Sequence, residues 1–192
     1  MLIDNQKEEK EMKALINIDY TNDFVAEQGV LNCGEMGRVI EKRITEITED
    51  FIKNEDFVVF AIDTHTKGDP YHPETKLFPP HNISGSEGIE LYGSLLQVYQ
   101  ENKQLDHVYY MPKTRYSSFA GTDLEIKLRE RGITEVFLVG VATDICVLHT
   151  AIDAYNKGFK VKIFKDAVAS FNHEGHTWAL GHFKTAIGAD VL

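Results

Sequence analysis

The chain is poor in cysteine, with two residues, Cys33 and Cys146, among 192. Two thiols cannot build the disulfide framework of a small secreted domain. Long apolar runs are also missing, and none approaches the roughly 20 residues that a membrane-spanning helix needs. Positive charge is scarce: 20 Lys and Arg stand against 30 Asp and Glu, a net charge of −10. Nucleic acid and anionic membrane surfaces, which select basic patches, are therefore not expected partners. The charged opening Met1 to Glu11 lacks the apolar core of a signal peptide, so the chain is expected in the cytoplasm with both thiols free. No internal repeat, low-complexity tract or linker divides it, and 1–192 reads as one domain with a charged extension over 1–12.

What is present is organised around Gly140 to Val147, GVATDICV. The apolar run Val136 to Val139 before it reads as a buried strand, and Leu148 to Gly158 after it as a helix closed by glycine. With Thr143 or Asp144 as N-cap, Cys146 falls in the first helical turn, where unpaired N–H groups and the helix dipole favour a thiolate. The competing reading is a small buried hydrophobe.

Ala14 to Asp19, Phe57 to Asp63, His107 to Met111 and Lys160 to Asp166 read as further strands, with a short sixth over Asp190 to Leu192. Helical spacing runs from Glu35 to Lys53, Thr122 to Arg131 and His173 to Ile187, and Ile89 to Gln100 is a short irregular or helical piece. Strands alternating with helices predict an α/β fold: a doubly wound, mostly parallel six-stranded sheet with helices on both faces. The long stretch Thr64 to Gly88, rich in His, Pro and Gly, is of a length usually kept for function. Apolar loop residues such as Ile83, Ile89, Leu91 and Tyr92 leave room for a homo-oligomer interface.

Asp19, Lys113 and Cys146 stand at strand ends, and a parallel sheet brings all such ends to one side. A carboxylate can take the proton of a thiol, and an ammonium can hold that carboxylate ionised. No histidine is comparably placed, since His149 should point along its helix rather than at the sulfur. A second cluster is Asp63, His65, Glu74 and His81. Asp-x-His at a strand end puts both side chains on one face, and the loop can fold the others back. Two imidazoles and two carboxylates suit Zn²⁺, Fe²⁺ or Mn²⁺, with His72 an alternative ligand. His173, Glu174 and His176 lack His-Glu-x-x-His spacing and read as helix-start, surface or packing groups.

Together these residues resemble the isochorismatase-like cysteine hydrolases and, within them, the nicotinamidases. The resemblance runs from Ala14 onward. Its carriers are Asp19 to Phe24 (Asp-x-x-x-Asp-Phe), Asp63-Thr64-His65, Lys113 to Phe119 (Lys-x-x-Tyr-Ser-x-Phe) and Gly140 to Val147. It implies a catalytic triad of Asp19, Lys113 and Cys146. It also implies a cis Val141–Ala142 peptide and an oxyanion hole from the N–H groups of Ala142 and Cys146. One divalent metal, Zn²⁺ foremost, would rest on Asp63, His65, Glu74 and His81, a set that the related isochorismatases and carbamoyl-amidohydrolases lack. A pyridine ring would lie among Phe24, Phe78 and Tyr116 with its nitrogen on the metal, Phe78 standing where many members have Trp. The implied activity is hydrolysis of nicotinamide to nicotinate and ammonia through a Cys thioester, serving NAD salvage, with pyrazinamide also accepted. The alternative is a metal-independent cysteine amidohydrolase acting on an N-carbamoyl or other small amide.

Overall fold

A computed structural model describes residues 12–192, so the charged extension lies, apart from Met12, outside the described residues. The elements are β1 (Ala14–Ile18), α1 (Asn22–Val25), α2 (Gly34–Val39), α3 (Glu41–Lys53), β2 (Phe57–Asp63), α4 (Ser94–Asn102), β3 (Val108–Lys113), α5 (Leu124–Glu130), β4 (Glu135–Val141), α6 (Leu148–Asn156), β5 (Lys160–Ala169), α7 (His173–Ala186) and β6 (Asp190–Val191). Short 3₁₀ turns at Pro73–Lys76 and Glu87–Ile89 punctuate the long loop and its exit.

The six strands form one sheet in the order β3-β2-β1-β4-β5-β6. Every pairing is parallel, as the alternation of elements predicted. The period of two along each strand decides which side chains meet which helices. Ala14, Ile16 and Ile18 of β1 join Leu124 and Leu128 of α5, Ala151 of α6 and Phe183 of α7 in one core. Leu15, Val58, Phe60 and Ile62 face the other way, onto Ile44 and Ile47 of α3 and Leu95 of α4. The chain winds outward from β1 to β3, then crosses back to β4 on the other side of β1. That reversal opens a crevice at the carboxyl ends of β1 and β4, where Asp19 and Cys146 follow their strands.

Three local expectations are corrected. The helix expected from Glu35 to Lys53 is broken at Ile40. The buried Tyr20 hydroxyl donates to the Gly37 carbonyl at 2.6 Å, occupying the acceptor that the Glu41 N–H would use in a continuous helix. The expected α-helical first turn at Cys146 is a wider π-type turn over Thr143–Val147, with Ala142 as the cap residue and α6 starting at Leu148. The Ala142 carbonyl accepts from both the Ile145 and Val147 N–H groups. Thr143 and Asp144 do not cap it, because their side chains are committed elsewhere. Finally, of the apolar loop residues Leu91 is buried in the α3–α4 core rather than exposed, while Ile83, Ile89 and Tyr92 are half-buried.

Candidate active site

The backbone turns sharply after β1. Asp19 has φ 54, a left-handed conformation that a non-glycine residue holds only where its surroundings compel it. Its Oδ1 accepts a 2.7 Å hydrogen bond from the Asp63 N–H at the end of β2. Its Oδ2 lies 2.8 Å from Lys113 Nζ. Lys113 closes β3 in register with Asp63, so its stem reaches over β2 to get there. The same ammonium lies 3.6 Å from Asp63 Oδ1, donates to the Arg115 carbonyl at 3.1 Å and approaches Cys146 Sγ at 3.7 Å. Three strand ends therefore deliver Asp19, Lys113 and Cys146 to one point, as the topology predicted.

The electrostatics of this point are those of a buried cation among acids. Burial pushes the Asp19 carboxyl up to about 6, against the pull of Lys113. Burial works the same way on Asp63, but Lys113, His65 and His81 hold it ionised, below the usual carboxylate range. Burial opposes charge on Lys113, yet Asp19, Cys146 and Asp63 together keep it protonated. Burial also raises the Cys146 thiol well above its ordinary value, with Lys113 opposing and Asp19 and Asp63 adding to the rise. The helix-dipole expectation of a resting thiolate is thus overturned. Cys146 is buried beside two carboxylates at the floor of a cleft, which favours a thiol and a basic carboxylate at rest.

Over Cys146 opens a narrow cleft. Phe24, Phe78 and Tyr116 line it as expected, with Ala142 beside the sulfur. The Val141–Ala142 peptide is cis. Leu31, Ile145 and Phe171 also line the cleft and were not singled out from the sequence. Their one signal is position: Phe171 follows the carboxyl end of β5 as Phe24 follows that of β1.

Glu74 and His81 form part of the cleft wall. With Asp63 and His65 they make a buried group whose ligand atoms all lie within 4.8 Å of one another. His65 Nε2 is 2.8 Å from Asp63 Oδ2, and His81 Nε2 is 3.4 Å from Glu74 Oε2. Both Nε2 atoms and Asp63 Oδ1 are buried without a hydrogen bond, a costly arrangement that a coordinated cation would relieve. His81 Nδ1 sits 2.8 Å from the Pro79 carbonyl, which assigns the ring proton there and turns Nε2 to the cluster. The group therefore fits a metal ion.

His72, the alternative ligand, has other work. Its Nδ1 accepts from the Glu74 N–H at 3.3 Å, and its Nε2 meets the Thr114 carbonyl at 2.8 Å. His149 likewise turns along its helix, with Nδ1 2.7 Å from the Ile145 carbonyl.

Two clamps were missed from sequence. Asn82 takes a hydrogen bond from Thr21 Oγ1, donates through Nδ2 to the Asp63 carbonyl and through its N–H to Asp23 Oδ2. It pins the ligand loop onto the loop after β1, and its signal was an Asn in a tight turn, with φ 42. The second clamp holds the turn that carries Cys146. His176 Nδ1 meets Thr143 Oγ1 at 2.8 Å, and Ser170 Oγ donates to Asp144 Oδ1 at 2.6 Å. Of the polar residues opening α7, His176 therefore faces inward.

A buried acid, a buried ammonium and a thiol at the switch point of a parallel sheet define a cysteine hydrolase of the α/β class. The isochorismatase domain family matches residues 13–192, and the chain belongs to that family. It is 66% identical over 179 residues to a Bacillus subtilis (strain 168) protein named as the uncharacterized isochorismatase family protein PncA, covering 93% of this chain and 98% of that one. The crystal structure of nicotinamidase/pyrazinamidase PncA from Bacillus subtilis superposes with a TM-score of 0.93 at 64% identity, over 94% of this chain and 98% of that one. The pyrazinamidase of Pyrococcus horikoshii in complex with zinc superposes at 0.81 with 28% identity, over 94% and 98% of the two chains.

Proposed function

We propose that this chain hydrolyses nicotinamide to nicotinate and ammonia, accepts pyrazinamide, and serves pyridine-nucleotide salvage in the cytoplasm. Among the described residues no helix is long and apolar enough to cross a membrane. One observation carries the reading: the sulfur of Cys146, beside the Asp19–Lys113 pair, shares one small aromatic cleft with Glu74 and His81 of the metal-binding group. An N-carbamoyl substrate would make no use of the second feature, whereas a pyridine carboxamide presents a ring nitrogen to it and a carbonyl carbon to the first.

In the reaction, Asp19 takes the proton of Cys146 and the sulfur forms a bond to the carboxamide carbon. The Ala142 and Cys146 N–H groups stabilise the oxyanion. Protonated Asp19 hands its proton to the amide nitrogen as the C–N bond breaks, releasing ammonia and leaving a thioester. Asp19 next accepts a proton from water as its oxygen attacks the thioester, and returns that proton to the departing sulfur. Nicotinate leaves and the thiol is restored. Lys113 keeps Asp19 ionised in the resting state and offsets the charge of the sulfur. Phe24, Phe78 and Tyr116 hold the ring and exclude water. A divalent ion, Zn²⁺ first, on Asp63, His65, Glu74 and His81 would supply a Lewis-acid anchor for the ring nitrogen.

The test is ammonia release from nicotinamide. Release by the native chain and its loss in Cys146→Ala, with substrate binding retained, is the expected result. A native, reduced, metal-loaded chain that is inert on nicotinamide but releases ammonia from an N-carbamoyl amine would overturn it.

A further inference from the structure

The metal-binding group has two faces. One belongs to the cleft. The other belongs to a second cavity of about 70 Å³ within the Thr64–Gly88 loop, lined by His65, His72, Glu74 and His81 among others. Its rim is made of Thr66, Gly68, Thr75 and Pro79, all exposed. Three of the four ligand residues thus look onto a second opening; Glu74, Phe78 and His81 form the wall between it and the cleft, and Cys146, Tyr116 and Ile145 lie on the cleft side alone.

The two openings differ in chemistry. On the cleft side His81 is flanked by Phe24 and Phe78, with ring centroids 5.4 Å and 6.1 Å away, and Leu31, Ile145 and Phe171 complete an apolar wall. A hydrated dication passing there would shed water along an aromatic wall on which Tyr116 and the Cys146 thiol are the polar groups short of the metal-binding group itself, which is costly. On the loop side Thr66 and Thr75 stand at the rim, and their hydroxyl oxygens can replace lost water in steps.

We propose that this outer cavity is the port through which the ion is loaded and released, so that ion exchange does not pass through the substrate cleft. The proposal rests on the metal-binding reading given above. It makes Thr66 and Thr75 residues of ion exchange rather than of turnover, and it allows a cleft filled by substrate or product to coexist with an open path to solvent.

The experiment follows Zn²⁺ transfer from the loaded native chain to a chromogenic chelator. Three proteins are compared: native, native carrying one maleimide on Cys146 (verified by mass), and Thr66→Trp, which puts a large side chain on the outer rim. Release from the maleimide adduct is expected within about twofold of native, and release from Thr66→Trp slower by about tenfold or more, with nicotinamide turnover unchanged. Thr75→Trp, on the opposite side of the rim, should slow release in the same way. Release slowed by the maleimide and indifferent to both tryptophans would overturn the port. A native chain that binds no stoichiometric Zn²⁺ would instead overturn the metal-binding reading and the port with it.

Discussion

Lys113 Nζ lies 2.8 Å from Asp19 Oδ2 although their strands are not neighbours, β2 standing between β3 and β1. Both side chains are fully buried. The pair is held in place by Asp63, whose N–H binds the other Asp19 oxygen and whose carboxylate lies 3.6 Å from the same ammonium. One cation therefore neutralises two acids that serve different halves of the site.

Removing that cation should be costly twice over. Lys113→Met leaves two buried carboxylates without their counter-charge, and stability should fall by about 3–5 kcal/mol, as when one partner of a buried pair is deleted. Turnover should fall by at least about a thousandfold. In urea unfolding, the Asp19→Asn, Lys113→Met double variant should recover part of that stability, since one of the two orphaned charges is gone. Simple additivity of the two single losses would contradict the pairing.

Metal removal should loosen the loop as well as the site. His65, His81 and Asp63 keep buried polar atoms without hydrogen bonds when no ion joins them. Extraction with a strong chelator should lower the melting temperature by several degrees, Zn²⁺ should restore it, and nicotinamide affinity should drop in the stripped protein. Glu74→Gln should weaken Zn²⁺ binding by about tenfold or more in a competition titration. A stripped chain with native melting and native affinity would count against the ligand set.

Stability should depend on pH through His176. Burial holds its pKa below the ordinary value of 6.5, with His173 adding and Asp144 opposing. Above about pH 6.5 the ring is neutral folded and unfolded, and contributes nothing to the pH dependence. As the pH falls through that value the unfolded chain takes up the proton and the folded chain resists it, so stability is lost on the acid side. The melting-temperature difference between about pH 8 and about pH 5.5 should shrink in His176→Gln. An unchanged difference would remove His176 from the titration.

Gly140 is required by contact and by conformation. It has φ +113, and a Cβ there would lie 2.0 Å from the Ile18 carbonyl oxygen on the adjoining strand. Gly140→Ala should cost more than about 3 kcal/mol, because the clash is with backbone in the centre of the sheet. Gly181→Ala is the control: a Cβ meets nothing within 4 Å in α7, and helix propensity predicts a gain of about 0.5–1 kcal/mol. Chemical denaturation of both variants decides the matter.

Much of this molecule is written locally. The apolar runs Leu15 to Ile18 and Val58 to Ile62 and the helical spacing of Ile44, Ile47 and Ile52 are properties of short stretches, and they were enough for the α/β class and a parallel sheet. The types of group at the strand ends were equally legible, because acid, amine, thiol and imidazole are covalent facts. What the sequence left open depends on partners far along the chain. A Tyr20 hydroxyl 17 residues away takes the Gly37 carbonyl and breaks a helix that its own spacing predicted. His72 and His81 look alike by spacing, and only the folded loop commits both nitrogens of His72 to Glu74 and Thr114 while leaving Nε2 of His81 to the cluster. The charge state of Cys146 followed the same rule. The helix terminus, a local effect, argued for thiolate, but burial beside Asp19 and Asp63 prevailed, since desolvation and nearby charge are set by tertiary packing.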